Sequence, residues 1–575
     1  MGIQPESAGP HAGPLDGILN YSYSDIVMSE FWAPSPHRPQ PPNRFFVKQA
    51  ASAAHIYGKR IVGAESFTTI GPHWNDLLWR SQKPSVDHVI CSGLNRSYFH
   101  TFTTSPEKMG VPGQEYFAGT HVNPRVTWWN EAGAFIDYMR RVQFVVQEGH
   151  FVADVAYYYG DHVPNICPLK EADMPKVLPG FDYDVLGEDA FLTLSVDHAG
   201  RVALANGLSY RALVLPDHGV LSLAALRQVK RLLHDGATVV GVRPTRCVSN
   251  VGGTDAQREF RDTVAQLWGG KTGKGTLVAK KTARKHLIDS GVRPDFAVAG
   301  SDAATDLNYI HYRIGEADLY FVSSQVEMER AATCAFRVCG RRPELWDPLT
   351  GGRRMLDAFM QKDGVTEVPL RFDPYGAYFI VFAKSCPETQ NGTAASNFPV
   401  FEPVQTLDGA WQVSFDPAWG GPGRAEFPRL IDWTQSADEG IKYYSGAAHY
   451  RKTFTLRKDR RECYSLQLGN VLDTGIASVR LNGVDLGIVW TKPFRVDATS
   501  ALKDGENMLE VKVVNSWYNR VKGDQLYPGG NPYTRTNINL GGDKKHRNTG
   551  LSPSGLLGPV QILTVSPPPA LRTGM

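Results

Sequence analysis

Apolar and polar positions change their period along the 575 residues, and the changes divide the chain. From Asp25 to about residue 150, short apolar runs alternate with helical stretches. Asp25-Ile26-Val27-Met28 is an apolar run that ends at Ser29-Glu30-Phe31-Trp32. Residues 45–57 read as a helix around an alanine-rich centre, since alanine is the best helix former, with Gly58 as its stop. Residues 60–64 read as a buried strand ending at Glu65-Ser66-Phe67-Thr68. Residues 74–89 read as a second helix, and Val89-Ile90-Cys91 as a short strand ending at Gly93-Leu94-Asn95-Arg96. Strand, helix, strand at this spacing predicts βα units of a parallel sheet. About three units are visible where a closed (β/α)8 barrel needs eight. Residues 130–150 carry Phe135, Tyr138, Met139, Val142, Phe144, Val145 and Val146 as the apolar face of a further helix.

Residues 151–300 show a second α/β pattern. Residues 151–159 and 212–216 read as strands, residues 223–234 as a helix, and residues 237–241 as the next strand after an Asp235-Gly236 turn. This predicts a small open sheet. It carries no GxGxxG or P-loop, so nucleotide binding is not indicated. Residues 301–390 read as a β-rich domain. Residues 391–435 are rich in Pro, Gly and Asn and read as a linker or long loop. Residues 436–575 alternate at strand spacing, with an Asn482-Gly483 hairpin turn, and predict a β-sandwich. The fold class expected is therefore multidomain α/β plus all-β. A partial (β/α)8 barrel (1–150) comes first, then an α/β domain, then β-sandwich domains.

Composition narrows the function classes. The 61 Lys and Arg against 58 Asp and Glu give a net charge of +3, which argues against a dedicated nucleic-acid binder. No stretch reaches the roughly 18–20 apolar residues of a membrane span. The Gly/Pro-rich start has no apolar core of a signal peptide. Seven scattered cysteines indicate neither a disulfide framework nor a zinc site. Aromatic residues make up 11%, enough for large cores and also for sugar-stacking platforms such as Trp74, Trp128 or Trp129.

Chemistry concentrates near the strand ends of the first 130 residues: Glu6-Ser7, Glu30-Phe31-Trp32, Glu65-Ser66-Phe67-Thr68, and Asn95-Arg96 followed by His100. Carboxylates beside bulky aromatics suit a glycosidase. One carboxylic acid protonates the leaving oxygen and a second activates water or attacks the sugar, while a neighbouring apolar ring tunes a carboxyl. A single such Glu serves equally well as a helix cap or an arginine partner; several strand ends of one sheet converge in space. His100 and His121 are further candidates for catalysis or hydrogen bonding. Asp473, Asp485 and Asp497 lack calcium-loop spacing and read as turn residues.

These runs resemble glycoside hydrolase family 106, the α-L-rhamnosidases. The resemblance rests on Ser29-Glu30-Phe31-Trp32, Ala51-Ser52-Ala53-Ala54-His55-Ile56-Tyr57-Gly58-Lys59, Ala64-Glu65-Ser66-Phe67-Thr68, Gly93-Leu94-Asn95-Arg96 with His100, and Thr127-Trp128-Trp129. It returns at Glu344-Leu345-Trp346-Asp347-Pro348 with Thr350-Gly351, and at Leu481-Asn482-Gly483. It implies inverting hydrolysis of terminal α-L-rhamnosyl residues of plant or microbial glycans, with a calcium ion helping to hold the sugar. Glu65 matches the position of the general base. Glu30 matches a strand-end carboxylate for sugar hydroxyls or calcium. Asn95, Arg96 and His100 match pocket-lining positions. Family members begin well upstream of this match, so the chain corresponds to the C-terminal portion and the general acid is expected upstream of it. The resemblance also implies a secreted or periplasmic location. The competing readings are an inactive remnant or carbohydrate-binding protein without turnover, and a β-galactosidase-like barrel hydrolase.

Overall fold

The computed structural model describes residues 15–33, 46–69, 73–74, 78–118, 121–161, 166–167, 170–300, 306–386, 389, 392–459, 462–526, 531–540 and 550–566. Glu6 lies outside these residues. The first sheet has three parallel strands, β1 (Val27–Trp32), β2 (Val62–Thr68) and β3 (Arg96–Phe99), in that spatial order. Helix α1 (Val47–Ile56) joins β1 to β2, α2 (Lys83–Ile90) joins β2 to β3, and α3 (Gly133–Gln147) follows.

The alanine run of α1 has a packing reason. Ala50, Ala51, Ala53 and Ala54 are fully buried, because α1 lies between two sheets. One neighbour is β1; the other is the strand Tyr183–Leu186 of the next unit. Ser52 Oγ accepts a hydrogen bond from the Val185 amide at 3.1 Å, and Lys48 Nζ meets Asp182 at 2.9 Å. Small side chains let the backbone approach both sheets, and one hydrophobic core runs through the first two units.

Three details differ from the sequence pattern. Val89 and Ile90 end helix α2 and do not form a strand. Val86, Val89 and Ile90 are spaced as one helix face and all are fully buried. Gly93, at φ +108°, then reverses the chain into β3. The expected 74–89 helix is broken as well. A π-helical turn, Leu78–Gln82, precedes α2, and Pro84, which has no N–H, stands in the first turn of α2. On α3 the buried face is Phe135, Tyr138, Met139, Val142 and Val146. Phe144 falls off that stripe and is 68% exposed.

The second unit has five strands in the order Thr276–Val278, Thr238–Val240, Ala212–Val214, Val155–Tyr158, Tyr183–Leu186, all parallel. The helix Leu223–Asp235 ends at Gly236, φ +116°, as the Asp235-Gly236 pair requires. Residues 296–385 form a four-stranded sheet and five strands of a six-stranded one, whose sixth, edge strand is His150–Phe151, and the two sheets share one core.

The last unit is also built from a six-stranded and a four-stranded sheet around a single core centred on Trp411, Trp433, Tyr450 and Leu466. Residues 391–435 are not a linker. Val400–Thr406, Trp411–Ser414 and Ala425–Phe427 are strands of these sheets, and the first pairs with the last described strand, Gln561–Ser566. The Pro and Gly density there marks tight connections between short strands. Asn482 and Gly483 both have positive φ, +54° and +82°, the requirement of a two-residue hairpin. Among the described residues no helix is long and apolar enough to cross a membrane, and none of the seven cysteines is joined in a disulfide.

Candidate active site

The parallel register of the first sheet brings its polar residues onto one row. Glu30 of β1 stands level with Glu65 of β2, and Glu65 with Tyr98 of β3. Met28, Gly63 and Arg96 form the row below on the same face. A Cβ on Gly63 would sit 2.8 Å from Met28 Cγ and 2.9 Å from Tyr98 Cε2. The missing side chain at position 63 is what lets Tyr98 lean over the sheet.

Glu30 is 2% exposed and accepts a hydrogen bond from the Trp32 indole. Glu65 is more open. It accepts a hydrogen bond from the Thr68 hydroxyl, and His100 Nδ1 lies 3.5 Å from its Oε1. Tyr116 packs edge-on against the His100 ring at 5.6 Å.

A second cluster stands behind His100. Asn123 Nδ2 donates to Glu115 Oε1 at 2.9 Å, His121 Nδ1 lies 3.2 Å from Glu115 Oε2, and His73 Nδ1 lies 2.6 Å from His121 Nε2. Burial pushes the Glu115 carboxyl up to about 7, against the hydrogen bond it accepts from Asn123 and the charge of Arg125. Burial also holds His121 well below the usual histidine value, and the nearby His73 and His100 push it the same way. At neutral pH His121 is therefore uncharged. The loop that carries Glu115 is clamped from the C-terminal unit: Asn537 Oδ1 accepts from the Glu115 amide and Asn537 Nδ2 donates to its carbonyl, both at 2.8 Å.

The structure thus brings Glu30, Glu65, Arg96 and His100 to one face or its edge, with His121 behind. Other sequence candidates go elsewhere. Asn95 sits at the amino end of β3, the opposite end from His100. Its Oδ1 accepts from the Val62 amide and its Nδ2 donates to the Arg60 carbonyl, each at 2.8 Å, so it ties strand starts together. Trp128 is 2% exposed within the main core. Trp74 is also 2% exposed, with its ring 5.7 Å from that of His121. Neither ring offers an open platform for a sugar, whereas Trp129 is 37% exposed. Glu115 and His73 were not legible as site residues, because no motif surrounds them and burial alone gives Glu115 its character. Asp473 is no plain turn residue either: it is buried, with a carboxyl pushed up to about 7.

Calcium was tested against the donors present. Among the described residues no three His, Cys, Asp or Glu side chains converge to hold a metal ion. Glu30 already accepts from Trp32. The described donor set does not fit a calcium shell.

Comparison with known proteins gives the following. A family profile described as alpha-L-rhamnosidase, of glycoside hydrolase family 106, matches residues 1–359. The structure of a rhamnosidase from Novosphingobium sp. PP1Y superposes with a TM-score of 0.85 at 33% identity, over 96% of this chain and 52% of that one. A protein named "Putative beta-glucuronidase" from Formosa agariphila is 25% identical over 91% of this chain and 62% of its own length. The chain therefore spans between half and two thirds of these relatives.

Proposed function

The chain belongs to glycoside hydrolase family 106, the α-L-rhamnosidases, and from that premise we propose that it carries the base side of a site hydrolysing terminal α-L-rhamnosyl residues with inversion. On this reading β1–β3 are part of a (β/α)8 barrel, the paired sheets that follow are β-sandwiches, and the natural substrate is an exported or periplasmic glycan containing L-rhamnose.

The observation that carries the proposal is the environment of Glu65. It is open on the strand face, flanked by a hydroxyl and an imidazole, and level with a second carboxylate. Glu65 takes a proton from a water that attacks the anomeric carbon from the side opposite the leaving oxygen. Thr68 and His100 orient the carboxylate. Glu30 does not act as the acid. Level residues on neighbouring strands stand about 4.8 Å apart, whereas inversion needs carboxyl groups roughly 6.5–9.5 Å apart to admit the water. Glu30, 2% exposed, is as buried as Glu115 and holds the Trp32 indole rather than the sugar, while Arg96 lines the same face as Glu65. Glu115 and His121, 3% and 0% exposed, are too buried to touch a sugar; Tyr116, next to Glu115, packs edge-on against the His100 ring and positions it.

The test is release of L-rhamnose from p-nitrophenyl α-L-rhamnoside by the purified chain, with the anomer of the first product read by NMR. The β anomer is expected, and Glu65→Gln is expected to lower the rate by about 100- to 10,000-fold, the usual worth of a positioned acid or base. Release by the Gln variant at the parent rate removes Glu65 from catalysis. A folded parent chain that binds L-rhamnose and releases none overturns the hydrolytic reading in favour of carbohydrate binding without turnover.

A further inference from the structure

A cavity of about 320 Å3 lies between the β-rich unit and the C-terminal unit, far along the chain from Glu65. Leu345, Asp347 and Thr350 form one wall, so a motif that the hydrolytic reading leaves unused shapes this space. Four arginines line it, Arg353, Arg354, Arg371 and Arg495, against two carboxylates, Asp347 and Asp373.

The arginines come from different strands and share one design. Each guanidinium lies over an aromatic ring: Arg353 over Trp346 at 4.1 Å, Arg354 over Phe398 at 4.8 Å, Arg371 over Phe398 at 5.8 Å, and Arg495 over Phe401 at 3.5 Å. Stacking fixes the plane of a guanidinium and leaves its N–H edge free.

Those edges are short of oxygen partners. Arg371 donates to the Pro399 carbonyl at 2.6 Å and its Nε lies 3.8 Å from Glu329. Arg495 comes only within 3.8 Å of Asp373. The Arg354 guanidinium makes no hydrogen bond or ion pair with any described residue. Asp347 is occupied by its own turn, accepting from the Leu349 amide at 2.8 Å and the Thr350 hydroxyl at 2.9 Å. Burial holds both Arg354 and Arg495 below the usual arginine value and raises the Asp373 carboxyl. The cavity therefore keeps a positive excess, partly withdrawn from water, with unused planar donors.

We propose that this cavity binds an oxyanion, either the carboxylate of an acidic sugar or a phosphate group, held by the N–H edges of Arg354 and Arg495. A planar fork donates two parallel hydrogen bonds to such a group. The bound anion neutralises the excess charge and fastens the β-rich unit to the C-terminal one.

The experiment is isothermal titration calorimetry on the full chain at low ionic strength, with sodium D-galacturonate, sodium phosphate and neutral D-galactose as separate titrants. Saturable binding is expected for at least one anion and not for galactose, weakening as NaCl rises. The tighter anion identifies the source. Arg354→Gln is expected to weaken binding at least tenfold, and Arg354→Lys, which keeps the charge and loses the fork, to fall between. The tight anion also raises the melting temperature of the parent and not of Arg354→Gln. Glu65→Gln leaves this binding unchanged, which separates it from the rhamnosidase reading. Binding of neither anion by the parent, or equal binding by parent and Arg354→Gln, overturns the proposal.

Discussion

Asp473 gives the sharpest test of burial as the source of unusual chemistry in this chain. The residue sits at φ +59° and is 6% exposed. Its Oδ2 accepts from the Ser516 amide at 2.7 Å and the Ser516 hydroxyl at 2.9 Å, and its Oδ1 accepts from Ser552 Oγ at 3.3 Å. Burial outweighs these bonds and raises the carboxyl from 3.8 to about 7. The sign follows from where the proton sits. Below pH 3.8 both folded and unfolded chains keep it, and the contribution is fully present. Between there and about pH 7 the unfolded chain has lost the proton while the folded chain holds it. Stability therefore falls as pH rises, by about 1.4 kcal/mol per unit and roughly 4 kcal/mol across the window. Asp473→Asn removes the titration and keeps the shape. Asparagine accepts the left-handed backbone there, its carbonyl takes the Ser516 bonds, and its amide faces Ser552. Urea unfolding at pH 4, 5.5, 7 and 8 is the assay. The parent is expected to lose stability steadily relative to the variant, so that the difference between them shifts by roughly 4 kcal/mol from pH 4 to pH 8. Parallel profiles for the two chains refute the argument, because they mean that Asp473 ionises in the fold as freely as in the unfolded chain.

Two further outcomes follow from packing. Gly63→Ala drives a methyl group into Met28 and Tyr98 and is expected to cost about 1–3 kcal/mol in urea unfolding, with loss of rhamnoside hydrolysis as Tyr98 is pushed off the row. Asp182 is fully buried between Lys48 at 2.9 Å and Lys170 at 2.7 Å. Burial opposes its charge, yet the two ammonium groups hold its carboxyl below the usual range. Asp182→Asn strands both lysines and is expected to destabilise the chain by roughly 3–5 kcal/mol; a thermal melt unchanged by the substitution sinks that reading.

What the sequence disclosed and what it hid separate along one physical line. Features set by neighbouring residues were legible. The alanine run makes α1, Asp235-Gly236 ends a helix, Asn482-Gly483 turns a hairpin, and the apolar runs before Glu30 and Glu65 mark two strands whose parallel register then aligns the carboxylates. Features set by distant partners were not. Val89 and Ile90 are helix because α2 buries that face, although their β-branched character reads as strand. Val400–Thr406 is a strand because the last described strand pairs with it. Asn95 reads as a strand-end pocket residue because Val89-Ile90-Cys91 reads as the strand before it; that segment is the end of a helix, and the Asn95 amide is spent on the Arg60 and Val62 backbone.

The same line runs through the candidate site. Glu65 is exposed to whatever binds on its strand, and its carboxylate was readable from the chain. Glu115 owes its raised carboxyl to a loop that Asn537 holds in place from 422 residues away. Thr127 Oγ1 donates to the Asn515 carbonyl at 2.5 Å, Trp517 Nε1 donates to the Arg125 carbonyl at 2.6 Å, and Trp490 packs on Phe135 at 5.2 Å. The C-terminal unit thus grips the segment from Glu115 to Phe135 at several points. That grip keeps Glu115 and His121 buried, and it holds Tyr116 of the same loop against the imidazole beside Glu65. The C-terminal unit thereby holds the loop that carries Glu115 and Tyr116, and Tyr116 packs against the His100 ring, so Asn537→Ala is expected to lower the rate of L-rhamnose release without touching any residue on the strand face, and an unchanged rate refutes that link.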